Sequence, residues 1–431
     1  MRWGDVLRVS RLPLPERKFI VLGIAVIIAT RLSVIVATPR TADFLDPRIY
    51  QGVGQTVLEG VNPYDYSDRP ALRARLRADM AAAHGIDDFT RTQQSWDYYV
   101  SGNPPASTAL YALFEKLSGG SRFGWRLLFI LGDIALFLGL AQLIKATRGS
   151  IENAVDQAGI ICLAIINPVL IVAGCAIPEE KQFQTALMLW SAALVLAPVA
   201  PGARRAVGIG FALSLSVLFK LLGIFLVPLW LARANREKLS FAAWCALGGI
   251  LPVIAAFAAF GDHFLGALIA RGVQNSVLGA EHASPWVLLP WLEGSAYVAV
   301  KAAVVSLFCA VFAALLIKRR IDLLNLCAGL TVAFVCLWLD KGAMNRMNIG
   351  IVFAVAALSS LSGRLFLGFS AAIVLLGGIG YALGVGVLRL RLEIVDAALT
   401  LTFLAAYLLV LLGREPGMSP QGWQSLRTST R

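Results

Sequence analysis

Apolar runs of roughly helix length recur along almost the whole chain and are separated by short polar or basic connections. They fall at 19–38, 125–144, 158–177, 183–199, 206–219, 221–232, 241–260, 296–317, 321–339, 347–361, 365–386 and 394–412. Crossing a bilayer takes about 20 predominantly apolar residues, so this pattern predicts about 12 transmembrane helices. The pair 206–219 and 221–232 reads equally as one long helix, and that merger would invert the sidedness of everything after it. Between the first two runs lies a long polar segment, residues 39–123, with its own periodicities. Asp46 suits an N-cap and Pro47 a first helical turn. Ile49, Val53 and Val57 then recur every four residues beside Tyr50, Gly54 and Leu58, and Gly60 and Pro63 supply the stop. A short amphipathic helix lying on the membrane follows from that spacing. Leu72, Leu76 and Met80 mark a second, opened by Asp68 and Pro70, and Trp96, Tyr98 and Tyr99 suit a membrane interface. The run Ala109–Leu117, behind Asn103-Pro104-Pro105, is too short to span and reads as a third surface or re-entrant helix.

Composition agrees with the pattern. Hydrophobic residues make up 58% of the chain and charged ones 15%, and the mean hydropathy is +0.73. That is far more apolar surface than a soluble domain buries, so the expected fold class is an all-α polytopic membrane protein, a single integral domain over 1–431. The net charge of +12 does not point to nucleic acid, because the basic residues sit in clusters between apolar runs. Arg2, Arg8, Arg11, Arg17 and Lys18 precede the first run, which reads as an uncleaved signal anchor with a cytoplasmic N-terminus. Counting alternately from there places Lys145 with Arg148, Arg204 with Arg205, Arg233 with Arg236, Lys318 with Arg319 and Arg320, and the tail 413–431 on the cytoplasmic side. Residues 39–123 then lie outside. Arg31, inside the first run, either snorkels or faces a polar cavity. The six cysteines lie in or beside apolar runs with no CxxC pair or ligand-spaced His, and are read as packing residues with no metal site. His263 and His282 likewise lack a ligand-spaced partner.

On this topology the outer loops hold Asp43, Asp46 and Asp65, the pair Glu179 and Glu180, Lys220 between two short runs, and Asp340, Lys341 and Arg346 late in the chain. Carboxylates and cations facing one side of a membrane suit a reaction in which a base removes a proton while cations receive a phosphate. Each has a plainer reading: Asp46 as a helix cap, Glu179 and Glu180 as a polar loop or caps of the next helix, Lys220 as a snorkelling lysine, and the late cluster as a solvated ion-pair group.

A membrane start followed by Asp46-x-Arg48-x-Tyr50, then Gly60-x-Asn62-Pro63-Tyr64, then Pro104-Pro105 before a short apolar run resembles the GT-C glycosyltransferases. The match is best to glycosyltransferase family 87, which includes polyprenyl-phosphate-mannose-dependent mannosyltransferases. It covers residues 1 to about 235, including Asn167-Pro168 and Lys220, and beyond that is mostly hydropathy. The segment 66–100 is like an insertion, and Asp340-Lys341-Gly342 replaces the family's Ser-Pro and His-rich late loop.

The resemblance implies a multi-pass cell-membrane enzyme that takes a sugar from a polyprenyl-phosphate donor. It would pass the sugar, with inversion, to a lipid-linked or glycan acceptor on the extracytoplasmic side, without a cofactor. Asp46 would be the catalytic base. Asp43, Arg48, Tyr50, Asn62, Tyr64, Glu179, Glu180, Lys220, Lys341 and Arg346 would bind substrate, with Lys220, Lys341 and Arg346 stabilising the phosphate. Membrane lipids are the remaining expected partner. Two other classes compete: a transporter or lipid flippase, which calls for charges or broken helices within spans in corresponding halves, and a non-catalytic assembly factor of envelope polysaccharide.

Overall fold

A computed structural model describes residues 13–39, 45–64, 103–197, 202–237, 239–265, 285–292, 294–339, 350–384 and 392–413. These residues are helical with no strand among them. Among the described residues, seven helices are long and apolar enough to cross a membrane: Leu14–Ala37, Arg122–Arg148, Ala154–Ala176, Leu239–Phe260, Gly294–Ile317, Gly363–Gly380 and Ile394–Leu412. The chain is an all-α, membrane-type bundle.

In chain order α1 is Leu14–Ala37, α2 Leu45–Leu58, α3 Pro105–Ser118 and α4 Arg122–Arg148. The third apolar run, Ala154–Ala176, is α5, and Lys181–Leu196 is α6. Then come α7 (Ala203–Lys220), α8 (Val227–Arg236), α9 (Leu239–Phe260) and α10 (Gly294–Ile317). Finally α11 is Leu323–Ala333, α12 Val352–Ala357, α13 Gly363–Gly384 and α14 Leu392–Leu412. The expected surface helices at 46–58 and 109–117 are present as α2 and α3. The expected helix near 68–80 and the aromatics at 96–99 lie outside the described residues.

α1 and α4 run antiparallel, and three polar contacts fix their register. Glu16 pairs with Lys145 at 2.6 Å near one end, Arg31 with Asp133 at 3.0 Å in the middle, and the Arg126 guanidinium donates to the Thr38 carbonyl at 2.7 Å at the other end. Arg31 therefore neither snorkels nor faces a cavity. Its side chain and that of Asp133 are both 0% exposed, and the reason lies in α5. Pro168 has no N–H to give the carbonyl of Ala164, and the Val169 N–H turns to the Asn167 side chain at 3.1 Å, which frees the carbonyl of Ile165. Arg31 donates to both carbonyls, at 3.1 and 2.5 Å. A buried charge thus repairs a helix break, with Asp133 as its counter-ion. Gly174 leaves the space for that carboxylate, because a Cβ there would collide with it.

Proline also sets the shape of α5 around the break. The segment Ala154–Ile160 passes into a π-helical turn, Ile161–Ile165, and after Pro168–Ile171 a second one covers Val172–Ala176. Arg126 closes the far end by donating to the Cys175 carbonyl at 2.7 Å.

The ambiguity between one helix and two at 206–232 is settled by Leu221. Its backbone is left-handed, with φ of 59°, so α7 stops at Lys220. A 3-10 turn, Leu222–Leu226, then leads into α8. Arg233 in α8 lies close enough to Arg205 in α7 for their charges to act on one another, so the chain doubles back after Leu221.

Candidate functional site

The site is built where α2, α3, α6 and α7 meet. α2 begins at Leu45, so Asp46 belongs to its first turn instead of preceding it, and Pro47 still falls where a missing N–H costs nothing. Position 46 is one turn before Tyr50. The Tyr50 ring stacks on that of Tyr111 in α3, with centroids 4.7 Å apart and planes inclined by 11°. One turn further, Gly54 allows close approach: a Cβ there would run into the backbone of Tyr111. These contacts dock α2 on α3.

α3 in turn docks on α7, where the Ser107 hydroxyl donates to the Phe219 carbonyl at 3.1 Å, satisfying one of the helix-terminal acceptors. That brings Tyr111 to Glu180, the residue immediately before α6, and its phenol donates to the Glu180 carboxylate. The other oxygen of Glu180 pairs with the Lys220 ammonium at 2.6 Å. The Glu180 side chain is 0% exposed and that of Lys220 16%. Glu179 pairs with its neighbour Lys181.

Electrostatics follow from this geometry. Burial pushes the Glu180 carboxyl up, but the charge and hydrogen bond of Lys220, the Tyr111 phenol and the charge of Lys181 outweigh it and hold the carboxyl down to about 2. Burial, then the neighbouring Glu180 charge, pushes the Tyr111 phenol well above its ordinary value, so it stays a donor. At neutral pH the cluster is an ionised, hydrogen-bonded pair at the end of a helix whose carbonyls favour the cation.

No known protein family, characterised protein or solved structure matches this chain.

Of the residues anticipated from sequence, Tyr50, Glu180 and Lys220 come together here. Glu180 precedes α6 but its side chain makes no capping bond; it is committed to Tyr111 and Lys220. Asn62 and Tyr64 serve the framework. The Asn62 amide donates to the Phe260 carbonyl at 2.9 Å, and its oxygen accepts the Tyr64 N–H at 3.0 Å. The Tyr64 hydroxyl donates to the Asn103 carbonyl at 2.6 Å and lies 2.8 Å from the Thr108 hydroxyl. They tie the connection after α2 to the end of α9 and the start of α3. Asp43, Lys341 and Arg346, and the side chains of Asp46 and Arg48, lie outside the described residues.

Tyr111 was hidden by its setting, since an aromatic in a short apolar run reads as packing. Asp133 did carry a signal: it is a lone acid within an apolar run, the partner an intramembrane Arg31 requires.

The Glu180 pair has a consequence for acid stability. A carboxyl depressed from 4.5 to about 2 contributes stability that is present above its unfolded value and is lost as pH falls through the folded one. Purified protein should lose melting temperature between about pH 4.5 and 2. Glu180→Gln should remove that part of the slope and start from a lower melting temperature at pH 7, because Lys220 loses its counter-ion. An unchanged acid profile in the variant would show that the pair contributes nothing to folding.

Proposed function

We propose that the chain is an integral membrane glycosyltransferase that moves a sugar from a polyprenyl-phosphate donor to a lipid-linked or glycan acceptor on the extracytoplasmic side. The observation that carries this reading is the stacking of Tyr50 on Tyr111, which joins the helix bearing Asp46 to the Glu180–Lys220 pair. A candidate base and a held cation thereby belong to one end of the bundle.

In this mechanism the acceptor hydroxyl oxygen attacks the anomeric carbon while its proton passes to the Asp46 carboxylate. The bond from that carbon to the phosphate oxygen breaks, its electron pair stays on the phosphate, and the anomer inverts. Glycoside hydrolysis needs an acid to protonate its leaving group, whereas a phosphate leaves as a stable anion, so one carboxylate suffices. Lys220 stabilises the charge gathering on the phosphate, an effect strengthened where water is scarce. Lys341 and Arg346 are proposed to assist it. Asp43, Arg48 and Glu179 are proposed on the substrate side of the same end.

Twelve crossings, with both termini cytoplasmic, complete the proposal. In its support, contacts between helices pair ends that this alternation assigns to the same side. Thr147 meets Ser359 at 3.1 Å, and Arg320 donates to the Leu412 carbonyl at 2.6 Å, on the inner side. Trp286 donates to the Leu337 carbonyl at 2.8 Å on the outer side.

The buried Arg31–Asp133 pair and the broken α5 favour a transporter, which places such features at its binding site. Against it, Arg31 donates to Asp133, Ala164 and Ile165 together, so its release would orphan two buried carbonyls as well as a charge. The test is incubation of purified protein and membrane acceptor lipids with polyprenyl-phosphate donors carrying different labelled sugars. One donor should yield a labelled acceptor of inverted anomeric configuration and free polyprenyl phosphate. Donor translocation without product would favour the transporter.

A further inference from the structure

Gln184 lies four residues beyond Glu180, about 40° further around α6 and one turn along it. This face is not the one on which α6 packs against α4. Phe183, which meets Phe129 with centroids 6.2 Å apart, and Trp190, which donates to the Ala135 carbonyl at 3.1 Å, occupy that other side. The Gln184 side chain is fully buried, yet neither its amide nitrogen nor its amide oxygen meets a hydrogen-bond partner among the described residues. A buried primary amide with both ends unmatched is costly, and apolar side chains of the same volume fit a helix equally well. An amide is therefore a poor choice for packing alone and a good one for a group that both donates and accepts.

Charge narrows what that group is. Gln184 itself carries no charge, and the cation nearest to it along this wall, Lys220, is paired with Glu180. A ligand group that gives and takes hydrogen bonds without charge is a hydroxyl. Building on the proposed glycosyltransferase reading, we infer that Gln184 forms the subsite for a hydroxyl group of the donor's sugar, with the Glu180–Lys220 pair one turn away marking the phosphate end. The sugar would lie along the first turns of α6, and Gln184 would determine which sugar heads are accepted.

The experiment compares binding of farnesyl phosphate with that of farnesyl-phosphoryl mannose, glucose, galactose and arabinose to the purified full chain. Wild type and Gln184→Met are tested in parallel, with melting temperature recorded for each. Wild type should prefer at least one sugar-bearing lipid over farnesyl phosphate. Gln184→Met should weaken that lipid by roughly tenfold or more, leave farnesyl phosphate unchanged, and melt no lower than wild type. Retained preference in the variant would overturn the subsite while leaving the glycosyltransferase reading intact. A lower melting temperature or loss of folding would make the amide structural and overturn it as well. Absence of any sugar preference in wild type would also sink the subsite, and only if no donor supported transfer would the reading beneath it fail too.

Discussion

Asp133→Leu should destabilise the protein by about 3–5 kcal/mol, because it leaves the Arg31 guanidinium charged, buried and without its counter-ion. Arg31→Met should be comparably harmful by a different route. It strands the Asp133 carboxylate and also removes the donors to Ala164 and Ile165, whose carbonyls α5 cannot satisfy by itself. The double variant separates these terms. With both charges gone the ionic penalty disappears, and only the two carbonyls remain unmet, at about 1–3 kcal/mol each when fully orphaned. The double variant should therefore melt above Arg31→Met, which suffers the same loss of donors and a stranded carboxylate besides, and below wild type. Melting followed by size-exclusion monitoring in detergent reads all four proteins. Wild-type melting temperatures in both single variants would show that the pair does not hold α1, α4 and α5 together.

The same pair shows what the amino-acid pattern discloses and what it conceals. Apolar runs locate helices because a bilayer demands about 20 of them in succession, and the runs at 19–38, 125–144 and 241–260 correspond to α1, α4 and α9. Periodicity within a run does not name its neighbour. Arg31 was conspicuous, but its partner is 102 residues away, and nothing local joins them. Asn167-Pro168 marked a discontinuity without revealing that an arginine from α1 would mend it. The division at Lys220 between the runs 206–219 and 221–232 was visible, but the turn that makes it was not, because a leucine with positive φ is atypical and no local pattern announces one.

The candidate site was legible in fragments. Glu180 and Lys220 stood out as charges beside apolar runs, with separate roles in view, and the structure makes them one ion pair. Tyr111, which bridges Glu180 to Tyr50, looked like any buried aromatic. Gln184 attracted no notice, since a glutamine in a helix is unremarkable until its surroundings are known to be dry.

Asp46→Asn should abolish sugar transfer while sparing the fold. α2 starts at Leu45, so Asp46 contributes a first-turn negative charge, worth about 0.3–1 kcal/mol to the helix. Asn keeps the size of the side chain and an oxygen that can accept a hydrogen bond, but cannot take up a proton at neutral pH. Loss of a positioned base is expected to slow the reaction by about 10²–10⁴-fold. Ala should be as inactive and less stable. Glu keeps the charge and moves the carboxylate by one methylene, a displacement that can itself cost about 10²-fold.

The central claim is transfer of a sugar from a lipid phosphate with Asp46 as the base. Its most direct test is the rate of labelled-sugar transfer by equal amounts of folded wild type and Asp46→Asn, using the donor on which wild type is most active. The account predicts steady formation of glycosylated acceptor by wild type and a rate at least about 100-fold lower for the variant, with donor binding retained. Comparable rates from the two proteins would contradict Asp46 as the base, and no transfer by wild type from any polyprenyl-phosphate donor would contradict the function itself.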